Sequence, residues 1–269
     1  MDEMDSGIVA HRLNVRGRLT EAPELRKLRM PRLFSYTIRI DDGAAPNPFR
    51  GMCSLAICKP MIRRVAKPGD WIAGLGSRRA PSGDLTARLV YAMRVDETLS
   101  LADYDKHAPS RWPDRIPNVA SANLCDRLGD CIYDFSSGDP VQRQGVHGPL
   151  NQTTDLSGKN VLISKHFYYF GSRACPLPDH LLAICHQNQG HRSDLNAAYF
   201  QPFVEWIEGL KLEPGQYGWP DLSSIGAQQR HAEVAPRDLR ITRSNGCPIP
   251  NECTAPSTRR TCGSPRAGN

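Results

Sequence analysis

Two histidines set among unlike neighbours make the best case for chemistry in this chain. His166 stands in KHFYYF, and His191 follows a glycine in QGHRS. Imidazole titrates near neutral pH, so either could serve as a general acid or base. Strand alternation puts His166, Tyr168 and Phe170 on one face, and Phe167 with Tyr169 on the other. One face should be core, and the other could stack on bases. A central strand buried on both sides reads the same way. His191 and Arg192 precede a helix starting near Ser193, where amides, dipole and guanidinium would together suit an anion. Ser193 could equally do no more than cap that helix.

Four further residues complete the candidate set. Asn47 lies between two prolines in APNPF, where it either presents its amide to a base edge or closes a turn on its own backbone. Lys59, just before Pro60, could meet phosphate or simply solvate a strand end, and Arg63 follows it by one helical turn. Trp71 follows Pro68-Gly69-Asp70 and suits core packing or base stacking. An imidazole, a guanidinium and an aromatic face together can hold one nucleotide. His166 or Tyr168 is therefore expected to share a cleft with His191 and Arg192, walled by the WIAGLGS strand end.

Other chemistries find less support. Cys53 and Cys58 are five apart and would face opposite sides of a strand, so they make a poor metal pair. The paired CxxC signature of zinc sites is absent. GLGS lacks the spacing of a phosphate-binding loop. No nucleophile–base–orienter triad follows from spacing. Neither a metal nor a cofactor is expected.

The elements that must position these residues are short. Leu33–Ile40 alternates like a half-buried strand, and Met52–Cys58, WIAGLG and Arg88–Val95 read as further strands. PMIRRVA reads as a short helix. Ser100-Leu-Ala-Asp103 fits a helix start, so LADYDKH should be helical. Val161–Phe170 reads as one aromatic-rich strand. Helices are expected near Pro178–Gln187 and Leu195–Leu210, with Pro202 delaying or kinking the second. Strands first and helices late predict an α+β domain with a small, curved, mostly antiparallel sheet and peripheral helices. Its expected limits are 31–221, after a weakly ordered leader (1–30) with a short helix at APELRKLRM, and before a disordered Arg-rich tail (222–269).

Charge says little about the ligand. The chain carries a formal +6, but residues 31–221 hold 21 basic and 20 acidic residues. Between Lys59 and Arg94, eight cations face only Asp70 and Asp84, a cluster that could attract phosphate or merely solvate outer faces. No apolar run reaches the ~20 residues of a membrane span. The acidic first residues do not resemble a secretory signal. With nine cysteines read as free thiols, the expected place is the cytoplasm, or the nucleus in a eukaryote.

Taken in order, several segments closely resemble the nucleotide modification associated domain family, second type. They are FSYTIRIDDGAAPNPFRGMCSLAICKPMIRRVAKPGDWIAGLGS, LVYAMRVDETLSLADY, GDCIYDF, NVLISKHFYYFG and QGHR. The resemblance implies an α+β domain, linked by gene association to systems that hypermodify or recognise DNA bases. The pair GDWIAGLGS and LVYAMRV is also similar to the strand pair of PUA-like, EVE and YTH barrels, which hold a flipped or modified base. In the family, a His-bearing loop follows GDxIY; here it reads SSGDPVQRQGVHGPL, and Cys131 and Asp134 depart from the pattern. The expected function is binding or recognition of a modified nucleotide or nucleic acid in base modification. Lys59, Arg63 and Arg192 would meet phosphate, His166 and Tyr168 the base, and Asn47 a polar edge. The alternatives are an enzyme acting on a free nucleotide or small metabolite, and a structural interaction module.

Overall fold

The computed structural model describes residues 29–186 and 190–221. The expected leader helix as far as Leu28, the tail expected to be disordered, and Gln187 at the end of one expected helix lie outside the described residues. The chain divides into Met1–Met30 and Pro31–Asn269, and every element below belongs to the second unit.

The strands are β1 (Leu33–Ile38), β2 (Cys53–Leu55), β3 (Trp71–Gly76), β4 (Arg88–Arg94), β5 (Glu97–Ser100), β6 (Tyr133–Asp134), β7 (Val141–Gln142), β8 (Asn160–Ser164), β9 (Phe167–Tyr169), β10 (Cys175–Pro176), β11 (His191–Arg192) and β12 (Gly215–Gln216). The α-helices are α1 (Pro60–Val65), α2 (Leu101–Arg111), α3 (Leu124–Arg127), α4 (Gln152–Ser157) and α5 (Phe200–Gly209). The large sheet runs β11-β1-β3-β4-β9-β12, with β10 also on β4. A second sheet runs β2-β8-β5, and β6 pairs with β7. The β1·β3 and β9·β12 pairs are parallel, and the other strand pairs are antiparallel. The sheets stay open, so this is an α+β fold without a closed barrel. No helix among the described residues is long and apolar enough to cross a membrane.

Period-two patterning sorts the core into two layers. Phe34, Tyr36, Ile72, Tyr91, Phe167 and Tyr169 fill one face of the large sheet. Leu33, Trp71, Ala73, Tyr168 and Phe170 fill the other, against Phe203 and Ile207 of α5. Gly74 has a steric reason: a Cβ there would stand 2.2 Å from the Tyr91 ring and 2.6 Å from Ile38. The ring crosses β3 at that point, and its hydroxyl meets Tyr36 at 2.9 Å. Ser100 Oγ accepts the Asp103 amide, as its cap pattern predicts. Pro202 falls in the first turn of α5, which begins at Phe200 and follows a 3-10 turn over Asp194–Tyr199. Its missing N–H is harmless there.

The single strand expected over Val161–Phe170 is two strands in different sheets. Asp96 accepts the Lys165 and His166 amides at 2.7 and 3.3 Å, and Ser164 Oγ accepts the His166 amide at 3.0 Å. These bonds replace ladder pairing and turn the chain from β8 into β9.

Two buried polar groups bind loops to this frame. Arg115 is 1% exposed and donates to the carbonyls of Asn47, Phe49 and Met52 at 3.1, 2.7 and 2.8 Å, and to Ser54 Oγ at 2.9 Å. Replacing it by Met would strand those acceptors and remove the charge beside buried Asp130, whose carboxyl burial already pushes upward. We expect Arg115→Met to lose about 3 kcal/mol in urea unfolding; a loss within about 0.5 kcal/mol would contradict this role. The other group is Asp41, whose Oδ2 accepts the Tyr169 hydroxyl at 2.7 Å. Burial pushes its carboxyl from 3.8 up to about 7, against the pull of that hydrogen bond. The folded state thus holds this proton more tightly than the unfolded chain. Its stabilising contribution is full below about pH 4 and is lost as pH rises through about 7. Thermal unfolding across that window should show a steeper fall for wild type than for Asp41→Asn; parallel curves would refute the assignment.

Candidate functional site

The site forms where the chain leaves β2 and enters α1. Cys58 and Lys59 both take left-handed backbone angles, φ 57° and 39°. Such a conformation costs a non-glycine residue of order 1–3 kcal/mol and persists only where neighbours enforce it. Two hydrogen bonds hold the turn at Cys58, and a proline narrows the choice at Lys59. Asp155 Oδ1 accepts the Cys58 amide at 2.8 Å. Arg63 Nε donates to the Cys58 carbonyl at 2.7 Å. Pro60 opens α1 directly afterwards and disfavours right-handed helix at Lys59.

Asp155 lies on α4 and is fully buried. Its Oδ2 accepts from Tyr133 Oη at 3.0 Å and meets His147 Nδ1 at 2.6 Å. The other ring nitrogen, His147 Nε2, stands 3.4 Å from Cys58 Sγ. Gln142 Nε2 fixes the histidine loop by donating to the His147 carbonyl at 2.7 Å. Cys58, His147 and Asp155 therefore form a contiguous thiol–imidazole–carboxylate relay, the order of groups that cysteine-based chemistry uses.

The electrostatics follow from this geometry. Burial works against a charge on His147, but the Asp155 hydrogen bond and Cys58 outweigh it and raise the imidazole to about 10. Burial pushes Asp155 upward, and His147 with the surrounding donors more than offsets it, so its carboxyl falls below the usual range. Burial and the Asp155 carboxylate push the Tyr133 phenol up. Lys59 Nζ lies 4.5 Å over the Tyr36 ring, and burial lowers its ammonium.

Three donor atoms of Cys58, His147 and Asp155 lie within 4.8 Å of one another, a separation that would also suit a metal. The hydrogen bonds argue for a relay instead. Both Asp155 oxygens are occupied by the Cys58 amide, Tyr133 and His147. That leaves one sulfur and one nitrogen facing each other, fewer than the three protein ligands of a catalytic zinc.

Arg63 lies directly behind the site and is fully buried. Besides Cys58 it donates to the Asn160 carbonyl at 2.9 Å and to the Asp155 carbonyl. A Cβ on Gly158 would stand 2.4 Å from the guanidinium, so only glycine leaves it room. The expected phosphate role for Arg63 gives way to a structural one, because its donors face backbone inside the protein. It ties the Cys58 turn to the helix that carries Asp155.

The remaining expected residues lie elsewhere. Asn47 is 1% exposed; its Nδ2 donates to the Leu128 carbonyl at 2.8 Å and its Oδ1 accepts the Phe49 amide at 3.3 Å. Trp71, His166 and Tyr168 do converge: Trp71 is parallel to Tyr168 with centroids 6.5 Å apart, and edge-on to His166 at 5.4 Å. Trp71 and Tyr168 are buried beneath α5, so these rings are core. Burial and Arg94 lower the His166 imidazole. Arg192 donates to the Ala183 carbonyl at 3.1 Å. His191 pairs with Tyr36 and packs on Phe34, on the opposite sheet face from Trp71 and His166. Strands β1, β3 and β4 separate β11 from β9, a span of about 19 Å at the usual strand spacing. The expected shared cleft of His166 with His191 is therefore overturned. Lys59 alone of the eight lies at the relay with its side chain partly open.

Sequence reasoning weighed Cys58 only as a metal ligand and passed over His147 and Asp155, because the three are drawn from β2's exit, a loop and α4. One signal existed: the His-bearing loop after GDxIY, here holding His147.

A model of the family described as nucleotide modification associated domain 2 matches residues 30–226. No curated protein and no solved structure matches the chain. With the match covering most of its length, the chain belongs to the nucleotide modification associated domain 2 family.

Proposed function

We propose that this domain is a cysteine-dependent enzyme acting on a nucleotide in base modification. The observation that carries this reading is the pair of contacts at 3.4 Å and 2.6 Å that link Cys58, His147 and Asp155. The sulfur stands in contact with a ring nitrogen that can hold its proton, and sulfur without its proton is the nucleophile. Sulfur would form a bond to an electrophilic carbon of the substrate. The His147 Nε2 proton would go to the heteroatom that takes the displaced electron pair. Asp155 would hold the ring in the required orientation. A purely recognising role is less well supported, since Asn47, Trp71 and Tyr168 are buried in core or loop packing.

Alkylation by iodoacetamide, read cysteine by cysteine by mass spectrometry, tests the relay. Cys125 and Cys185 are half-buried thiols pushed up by burial, and they serve as internal comparators. Cys58 should react first, and His147→Ala should slow it by about tenfold or more. A Cys58 that reacts no faster than Cys125, with no response to His147→Ala, would refute the reading. In a parallel test, incubation with nucleoside 5′-monophosphates should give a turnover or an adduct that Cys58→Ser abolishes. Activity that survives Cys58→Ser would exclude covalent catalysis there.

A further inference from the structure

Asp155 Oδ2 serves two donors at once. Tyr133 Oη stands 3.0 Å from it, and His147 Nδ1 stands 2.6 Å from it. Oδ1 is taken by the Cys58 amide at 2.8 Å. Among the described residues, only Tyr133 shares Oδ2 with the ring by a hydrogen bond. A carboxylate oxygen that accepts a second hydrogen bond holds the first donor's positive charge less strongly. Burial works against charge on the ring, and the Asp155 bond is the largest of the forces that overcome it. Whatever shares that oxygen therefore acts on His147 as well. The other titratable and charged groups around the pair are Cys58 from the β2 exit, Arg63 from α1 and Asp42 from the loop after β1.

The hairpin β6–β7 places the phenol. Tyr133 lies directly opposite Gln142 in its register, so the two side chains leave the hairpin on one face. They reach the same histidine by different routes. Gln142 Nε2 holds the His147 carbonyl at 2.7 Å, and Tyr133 acts on the ring through Asp155. Arg143 anchors the hairpin: it donates to the Cys131 and Tyr133 carbonyls at 3.1 and 3.0 Å and pairs with Asp105 of α2 at 2.7 Å. Packing alone would be satisfied by phenylalanine at this buried position. We propose that Tyr133 is a positioning residue of the relay: by sharing Asp155 Oδ2 it leaves the charged His147 ring readier to release its Nε2 proton. This rests on the thiol-enzyme reading and adds a residue that acts through Asp155 without touching substrate. A ring gripped by an undivided carboxylate would keep that proton, and the step that delivers it to the substrate heteroatom would slow.

The test uses the full chain, with nitrogen-labelled histidine and carbon-labelled tyrosine. NMR gives the titration midpoint of the His147 ring in wild type, Tyr133→Phe and Gln142→Ala. Tyr133→Phe keeps the aromatic volume and leaves Oδ2 to the imidazole alone. We expect its midpoint to rise by about half a pH unit or more. Gln142→Ala loosens the histidine loop without touching the carboxylate, and its midpoint should fall or stay. A midpoint that is unchanged in Tyr133→Phe, or that falls there as well, would overturn the proposal, since the phenol would then only prop the loop. Wild-type protein gives a second reading that needs no variant. The Tyr133 Cζ carbon should shift as His147 titrates, because the two groups share one oxygen. Burial and the Asp155 carboxylate push the phenol's own ionisation up, which keeps it apart from that titration. A Cζ signal that ignores the His147 titration would also overturn the proposal. A wild-type midpoint near the ordinary 6.5 would instead overturn the relay itself. Failure of the thiol-enzyme reading and failure of the shared oxygen therefore give different results.

Discussion

The site depends on the buried carboxylate of Asp155. It accepts the Cys58 amide, the Tyr133 hydroxyl and the His147 ring. Those contacts join three separate stretches of chain: the β2 exit, the strand β6, and the loop that precedes α4. A carboxylate removed from water must find donors or a cation, and this one finds both. The donors also fix what faces outward. With Nδ1 held by Asp155, Nε2 is the ring atom that meets sulfur.

Arg63 extends the same logic one layer inward. Its guanidinium is as buried as the carboxylate, and it touches the carbonyls of Cys58, Asn160 and Asp155. The strained Cys58–Lys59 turn is thus gripped on both sides of its backbone, by Asp155 at the amide and Arg63 at the carbonyl. Arg115 does comparable work for the Asn47–Ser54 loop that leads into β2. The Cys58 segment is therefore held at both ends by buried arginines. Such polar hubs contribute little net stability against an apolar core of the same shape. Their effect is to hold one loop conformation, which a relay of three side chains requires.

Patterning that acts within one segment was legible from sequence. The alternation in β1, β4 and β9, the Ser100 cap and the late start of α5 all depend on neighbours a few residues away. The resemblance to the family was legible for the same reason, being carried by short ordered motifs. The expectations that failed required knowledge of what crosses the chain. Val161–Phe170 reads as one continuous aromatic-rich strand, but Asp96, about seventy positions earlier, divides it at Lys165. Arg63 looks like a surface cation by spacing until α4 closes over it. His166 and His191 were expected together because the connecting chain is long enough, yet register places their side chains on opposite faces. Cys58 and His147 are 89 positions apart, and no periodicity links them.

The central claim is that Cys58, His147 and Asp155 act as one charged unit, and nitrogen NMR of the His147 ring reads it directly. The account predicts an imidazolium that stays protonated far above the ordinary 6.5, with its midpoint near 10. It also predicts that the midpoint falls when Cys58 is replaced by Ala, since the sulfur is one of the groups that raise it. A His147 ring that titrates near 6.5 in the wild-type protein, unchanged in Cys58→Ala, would contradict the account.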